Sequence, residues 1–372
     1  LDYVHLSRRA VSLPAIVEFN AGLADAVLKI RAGGSPLERF LAYYNLELPP
    51  GLQHLGSTRE GLSALIADPQ FRALAAEQGI RHKELLRSYL AQKSLLDGSG
   101  TCLVDIGWSG SIQQALNIIR DEDSTASPIC AMYLGLWAEV GETLGHPPNA
   151  LGILTDRHRG RSILEGSGWH LAALLESICR APHGAVTGYQ KAKTGEVVPM
   201  LDETSSGRLA ERMAEPCKND IRDGIFAFLE DYGKLVGTKP ISPHFTRRHT
   251  QRRMLRLAFF PKPWEIAAVE ALVHTETHAG PWHVPLICKA RPHPFRAPAK
   301  WLAGLASPWR GGYVAATGGW FLSLAALSAE GVLSLSPPAL RNGLRSIALK
   351  HASHSPEGIV GKPKARSPNA TL

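Results

Sequence analysis

Residues 101–119 read TCLVDIGWSGSIQQALNII: an apolar run holding Asp105, then Gly107, Trp108, Ser109, Gly110 and Ser111, then apolar residues at helical spacing. Three chemistries fit these residue types in this order. The first is a nucleophile elbow, since Gly107-Trp108-Ser109-Gly110-Ser111 is one residue short of G-x-S-x-G and would make Ser109 the nucleophile of a serine hydrolase. That reaction also needs a downstream acid and histidine, for which Asp156 and His183 are available, and an oxyanion donor from an earlier strand-to-helix loop. The helical pattern before Thr101 does not supply such a loop. The second is an anion cradle, in which a glycine turn lets backbone N–H groups and the positive end of a helix approach a phosphate, Ser109 and Ser111 add hydroxyls, and Trp108 stacks on a base or sugar. The third is a tight turn with Ser111 as helix cap and no ligand.

Asp105 favours the ligand site. A carboxylate at the end of a strand buried on both faces is costly unless it is paired or faces a site, and α/β proteins bind ligands at the carboxyl edge of the sheet. Glu176, in the otherwise apolar helix WHLAALLESIC, and Arg180 and His183 in the loop after it are expected to line the same cleft. Glu176 or Asp105 would act as base, and Arg180 or His183 would hold phosphate. The competing reading is a helix whose Arg and His complement its negative end. Gln113, in the first turn of the helix after Ser111, joins the expected binding set.

Other clusters carry less. TDRHRGR places Arg157, His158, Arg159 and Arg161 in a basic loop that is solvated or grips a diphosphate. HTETH sets His274 and His278 at i and i+4, a zinc spacing on a helix, but the Glu after the first His that a metalloprotease needs is missing and no third ligand is evident. No metal is therefore assigned. PWRGGYVAATGGWF has the Gly and aromatic content of a sugar-stacking loop or of a packing corner. The five cysteines form no C-x-x-C pair, and Cys102, Cys130 and Cys179 sit in apolar segments as small core residues, which fits a reducing, cytoplasmic compartment.

The elements that must hold these residues follow from the apolar period. From Ser35 to Leu96 the strings PLERFLAYYNLEL, EGLSALIADPQFRALAAEQ and RHKELLRSYLAQKSLL are helical, and DGSG at 97–100 stops the last. TCLVDI, IQQALNII and ICAMYLGLWAEV then read as strand, helix and strand, a parallel βαβ unit. ALGILTD is a third strand, GAVTGYQKAKTGEVVPML a hairpin turning at Lys193, Thr194 and Gly195, and the rest mainly helical. The expected fold is α/β, a small parallel Rossmann-like sheet with extensive helical additions. It divides into a helical segment 1–100, an α/β core 101–205, a helical region 206–336 and a basic tail 337–372 expected to be disordered.

The formal charge of +8 does not make a nucleic-acid binder, because the tail alone carries six Lys or Arg and one acid. The longest apolar stretch, Tyr313 to Ser336, is broken by Gly318, Gly319, Ser323, Ser328 and Glu330, so it predicts a buried or surface-lying helix instead of a membrane span. The chain opens on Leu1 without a signal-peptide pattern, and is expected to continue a longer protein whose start lies upstream.

LVDIGWSGSIQQAL, preceded by LLRSYLAQKSLLDG and followed by MYLGLW and LLESICRAPHGAVTGYQ, resembles a group of bacterial hydrolases of the haloacid-dehalogenase superfamily associated with glycosyltransferases of surface-polysaccharide biosynthesis. The likeness spans roughly Tyr3 to Ala279 and rests on segment order. Such proteins carry a catalytic D-x-D strand in an upstream module, and HLSRRAVSLPAI resembles the linker after it. Here Asp105 is followed two positions on by Gly107, and Asp121 and Asp123 follow a helix. The resemblance thus implies the region after the hydrolase module, acting on a phosphorylated or nucleotide-linked sugar, with a glycosyltransferase as partner and magnesium only through the upstream module. A non-catalytic docking module for that glycosyltransferase is the alternative, and it predicts a large exposed apolar patch.

Overall fold

A computed structural model describes residues 3–16, 35–48, 58–96, 101–121, 128–136, 149–156, 170–238, 243–276, 282–305 and 307–335. The basic loop 157–161, Asp123, the 97–100 stop, His278 and the tail 337–372 lie outside them.

The described chain is mixed α/β, with one parallel three-stranded sheet and many helices. Helix α1 (Arg8–Ser12) is capped by Ser7, whose hydroxyl accepts from Ala10 N. Helix α2 (Pro36–Tyr44) opens on a capping box between Ser35 and Glu38 and closes on Asn45 in the left-handed region. Helices α3 (Arg59–Ala67) and α4 (Pro69–Gln92) divide at Asp68, which accepts from Phe71 N at 2.9 Å, with Pro69 at the first helical position. The sequence pattern places that division ten residues later. It misses it because the apolar stripe continues across the cap, whereas the cap and the proline decide where the hydrogen bonds restart.

Strand β1 (Cys102–Trp108), helix α5 (Ser111–Asp121) and strand β2 (Cys130–Leu136) form the expected βαβ unit, and β3 (Ala150–Asp156) adds a third parallel strand in the order β1-β2-β3. Among the described residues β1 lies at an edge of this sheet, and its side chains also show that it is not buried on both faces. Val104, Met132 and Leu151 are register partners across the sheet and are 60%, 37% and 36% exposed, so one face of the sheet is open among the described residues. The same geometry corrects the cysteines: Cys102 and Cys130 pair in register on that open face and Cys179 ends a helix, all three exposed.

Helix α6 (Ala172–Cys179) precedes the hairpin β4 (Val186–Lys191) and β5 (Val197–Leu201), whose connecting residues 192–196 include Gly195 at φ +87°. Helices α7 (Ser206–Met213), α8 (Glu215–Thr238), α9 (Pro243–Phe259) and α10 (Pro263–Val269) follow. Next come the two-stranded sheet β6 (Val273–Glu276) and β7 (Trp282–Pro285), helix α11 (Pro298–Gly304) and helix α12 (Arg310–Leu335). HTETH begins as strand β6, so His274 does not sit on a helix and the zinc spacing has no geometric meaning there.

The core crosses the 100/101 boundary. Val11 of α1 and Leu86, Tyr89 and Leu90 of α4 pack with Leu116 and Ile119 of α5 and with Val186, Tyr189 and Val197 of the hairpin. Polar ties hold the same interface: Gln92 exchanges two hydrogen bonds with the Val197 backbone at 2.9 and 2.8 Å, and Tyr189 donates to His5 O at 2.7 Å. By these contacts the N-terminal segment is brought against the carboxyl end of β1. A second cluster, centred on Trp309 and Tyr313, joins α6, α9, α10 and α12.

Candidate functional site

The turn after β1 is built by backbone conformations that few side chains tolerate. Gly107 and Gly110 have φ of +102° and +69°, and Trp108 between them has φ +90°. A side chain at Gly107 would stand 2.4 Å from Gly135 O and 2.8 Å from Tyr133 Cβ. A tryptophan in that conformation stores roughly 1–3 kcal/mol of strain and needs its surroundings to hold it. Trp108 is held by burial, at 6% exposure, by packing across Gly135, and by its indole N–H, which donates to Glu176 Oε1 at 2.8 Å. It is thus part of the wall and not a free stacking ring.

Gly110, not Ser111, caps α5: its carbonyl accepts from Gln114 N at 3.0 Å. A glycine at the cap has no side chain to cover the amides of the first turn, and Gly110, Ser111 and Ile112 at the positive end of this eleven-residue helix line one cleft with Asp105. Ser109 donates to Ser111 Oγ at 3.3 Å, and no histidine reaches its hydroxyl among the described residues. Among the described residues, an elbow chemistry at Ser109 therefore has no histidine base.

Around this turn lies a cleft of about 190 Å³ lined by Asp105, Gly107, Trp108, Gly110, Ser111 and Glu176 from the expected set. It is lined also by residues that sequence reasoning missed: Ser7, Arg8 and Arg9. α1 carries the two arginines into place through the packing of Ala10 and Val11 on the core. Arg9 donates from Nη2 to Asn45 Oδ1 at 3.3 Å while its Nε finds no partner among the described residues, and burial lowers its pKa against the opposing pull of Asp202. Asp105 shows the converse. Burial pushes its carboxyl above the usual carboxylate range, while the amides of Gly107 and Ile106 and the Arg8 guanidinium pull it down. Glu176, pinned by Trp108 on one oxygen, has His274 Nδ1 3.8 Å from the other.

Three expected site residues belong elsewhere. Gln113 is fully buried, donating to Ile129 O at 2.6 Å and accepting from Tyr133 Oη at 2.9 Å, so it ties α5 to β2. Arg180 is captured by Glu211 of α7 and donates to Thr275 O at 3.3 Å, in a small separate cavity with Ser177 and Lys218. His183 hydrogen-bonds to Gly184 O and to Tyr3 Oη, each at 2.8 Å, with the His5 ring 4.8 Å away. A carbonyl only accepts, so Nδ1 of His183 carries its proton and Nε2 receives the Tyr3 hydroxyl. Asp156 closes its own strand end by accepting from Gly152 N. The PWRGGYVAATGGWF segment opens α12 as a packing corner, with Trp309 buried against Gly312.

The assembled cleft offers two guanidiniums, a helix N-terminus and two carboxylates in different environments. Compared with known proteins, the chain matches no family model and no curated protein.

Proposed function

We propose that the cleft between β1, α5 and α1 binds the phosphate of a phosphorylated or nucleotide-linked sugar, within a Rossmann-like fold acting in surface-polysaccharide biosynthesis. One observation carries this reading: Arg8, Arg9 and the uncapped first turn of α5 converge on the same cleft as Asp105 and Glu176. Guanidinium groups match phosphate oxygens bidentately, and the first-turn amides add donors aligned with the helix dipole. At about 190 Å³ the cleft is smaller than pockets that enclose whole drug-sized ligands, roughly 300–1,000 Å³. It therefore seats a phosphate with part of its sugar and leaves a nucleotide outside. In phosphoester hydrolysis or glycosyl transfer, Asp105, whose carboxyl burial raises above its ordinary range, would exchange a proton with a reacting oxygen. Glu176, oriented by Trp108, is placed to take the proton of the attacking hydroxyl.

Calorimetric titration with a hexose phosphate and with a nucleoside-diphosphate hexose tests the reading. Arg8→Gln with Arg9→Gln is expected to weaken both at least tenfold, about 1.4 kcal/mol. Equal affinities in wild type and variant would remove the site.

A second reading, docking of a glycosyltransferase without catalysis, is supported by α8. Residues 222–231 are exposed on every side of that helix, and Ile225, Phe226, Phe228 and Leu229 are 45% to 64% exposed. Phe226→Ser with Phe228→Ser is expected to abolish complex formation with that enzyme while leaving phosphate titration unchanged. Complexes surviving in the variant would count against α8 as the docking element.

A further inference from the structure

Two cysteines begin neighbouring strands. Cys102 is the first residue of β1 and Cys130 the first of β2, and they are Cα partners in the parallel register. Side chains alternate between the faces of a strand, and lateral partners in a parallel pair share a face. The burial pattern fixes which face that is. Cys102 and Val104 are exposed along β1, and Cys130 and Met132 along β2, whereas Ala131 and Tyr133 of β2 are buried on the other side. Both thiols therefore stand side by side on the open face, within reach of solution. Residues kept as small core fillers would be covered; these two are not.

Backbone spacing alone brings the pair within bonding range. Adjacent strands lie about 4.8 Å apart, and disulfide-linked residues have Cα separations of roughly 4.4–6.8 Å. Because each cysteine opens its strand, drawing the sulfurs together disturbs the ladder at its end and not in its middle. The Cys102 thiol makes a contact of 3.7 Å with Leu103 O, and a thiol is a weak donor whose loss costs little. The other cysteines are placed differently: Cys179 ends α6, Cys217 of α8 donates to Ala268 O, and Cys288 follows β7. Among the described residues, Cys102 and Cys130 are the one pair of cysteines in register.

We propose that Cys102 and Cys130 form a reversible dithiol–disulfide site, oxidised by a low-molecular-weight disulfide such as glutathione disulfide. One protein thiolate attacks a sulfur of glutathione disulfide; a mixed disulfide forms as the glutathione S–S bond breaks, and one glutathione leaves as its thiolate and takes up a proton. The second protein thiolate then attacks the protein sulfur of the mixed disulfide, which forms the Cys102–Cys130 bond and releases the second glutathione. The pair gives up two electrons and two protons, and the two glutathiones carry them away. A reducing compartment holds the site as a dithiol, and a rise in the disulfide pool closes it. The bond closes the loop that carries α5 at the amino edge of the sheet, with Cys102 about 10 Å along β1 from Asp105. The site goes beyond the phosphate cleft and does not depend on it.

Incubation of the reduced full chain with glutathione disulfide, read by intact mass and non-reducing peptide mapping, tests the proposal. Wild type is expected to lose both thiols, to keep no glutathione on either residue, and to yield one peptide pair joined through Cys102 and Cys130, all reversed by dithiothreitol. Cys102→Ser is expected to stop at the mixed disulfide, with one glutathione held on Cys130, and Cys130→Ser to hold one on Cys102. Both substitutions fall at exposed positions, and unchanged thermal melting shows that each variant is folded. Glutathione retained on both cysteines of wild type would overturn the proposal, because the sulfurs then do not meet. So would thiols that both resist oxidation, or a bond from either residue to Cys179. A disulfide-linked dimer on a non-reducing gel would overturn it too, by making these thiols a contact between copies.

Discussion

Asp105 and Gly107 set the chemistry of the cleft by opposite constraints, one electrostatic and one steric. Because burial raises the Asp105 pKa above its unfolded value, the unfolded chain loses this proton first as pH rises. The contribution of Asp105 to stability is therefore largest in acid, declines as pH rises from the ordinary value of 3.8 through the raised folded value, and stays low at neutral pH. Asp105→Asn is expected to raise the melting temperature near neutral pH, with the gain vanishing in acid. An equal shift at all pH values would point to packing and not to charge. Gly107→Ala meets the Gly135 carbonyl and a φ of +102° together, and a loss of about 2–4 kcal/mol in urea denaturation is expected. A neutral substitution would show that the turn relaxes. Both residues were legible in the sequence, since an acid and a glycine turn between unlike apolar periods mark a strand-to-helix edge. Arg8 and Arg9 were not, because their place depends on α1 packing across more than ninety residues of chain.

The same contrast governs the elements. Periodicity found the βαβ unit and the hairpin, whose residues carry their own turn chemistry. It did not find that one face of β1 stays open at Val104, because an apolar run does not show whether both of its faces are covered. It also placed Arg180 in the cleft, where the charge at the end of α6 suggested it, but Glu211 on α7 takes that guanidinium. The loop before α7 shows how such ties are anchored. Glu203 accepts from Gly184 N at 2.7 Å and pairs with Arg208 and Arg212. The Gly184 amide first, then those guanidiniums, hold its carboxyl down at about 2 against the opposing effect of burial. A lowered folded pKa gives stability that is full above the unfolded value of 4.5 and is lost as pH falls toward about 2. Glu203→Gln is expected to lower the melting temperature at neutral pH and to flatten the acid limb of the stability profile between those values. An unchanged acid limb would assign acid sensitivity to other carboxylates.

At the scale of the whole molecule, one core joins α1, α4, α5 and the hairpin, and it is this packing that makes the cleft a composite of distant segments. The exposed apolar surfaces on α8 and α12 are set apart from it in sequence, which allows binding of a small anion and attachment to larger partners to be separated by mutation. The central claim, that a phosphate sits between α1 and the first turn of α5, is tested most directly by amide and arginine side-chain shifts on titration with inorganic phosphate and then with a hexose phosphate. The account predicts saturable shifts at Gly110, Ser111 and Ile112 and at the Arg8 and Arg9 Nε groups, all with one dissociation constant. Shifts confined to Arg180, His183 or the basic tail, with the cleft silent, would contradict it.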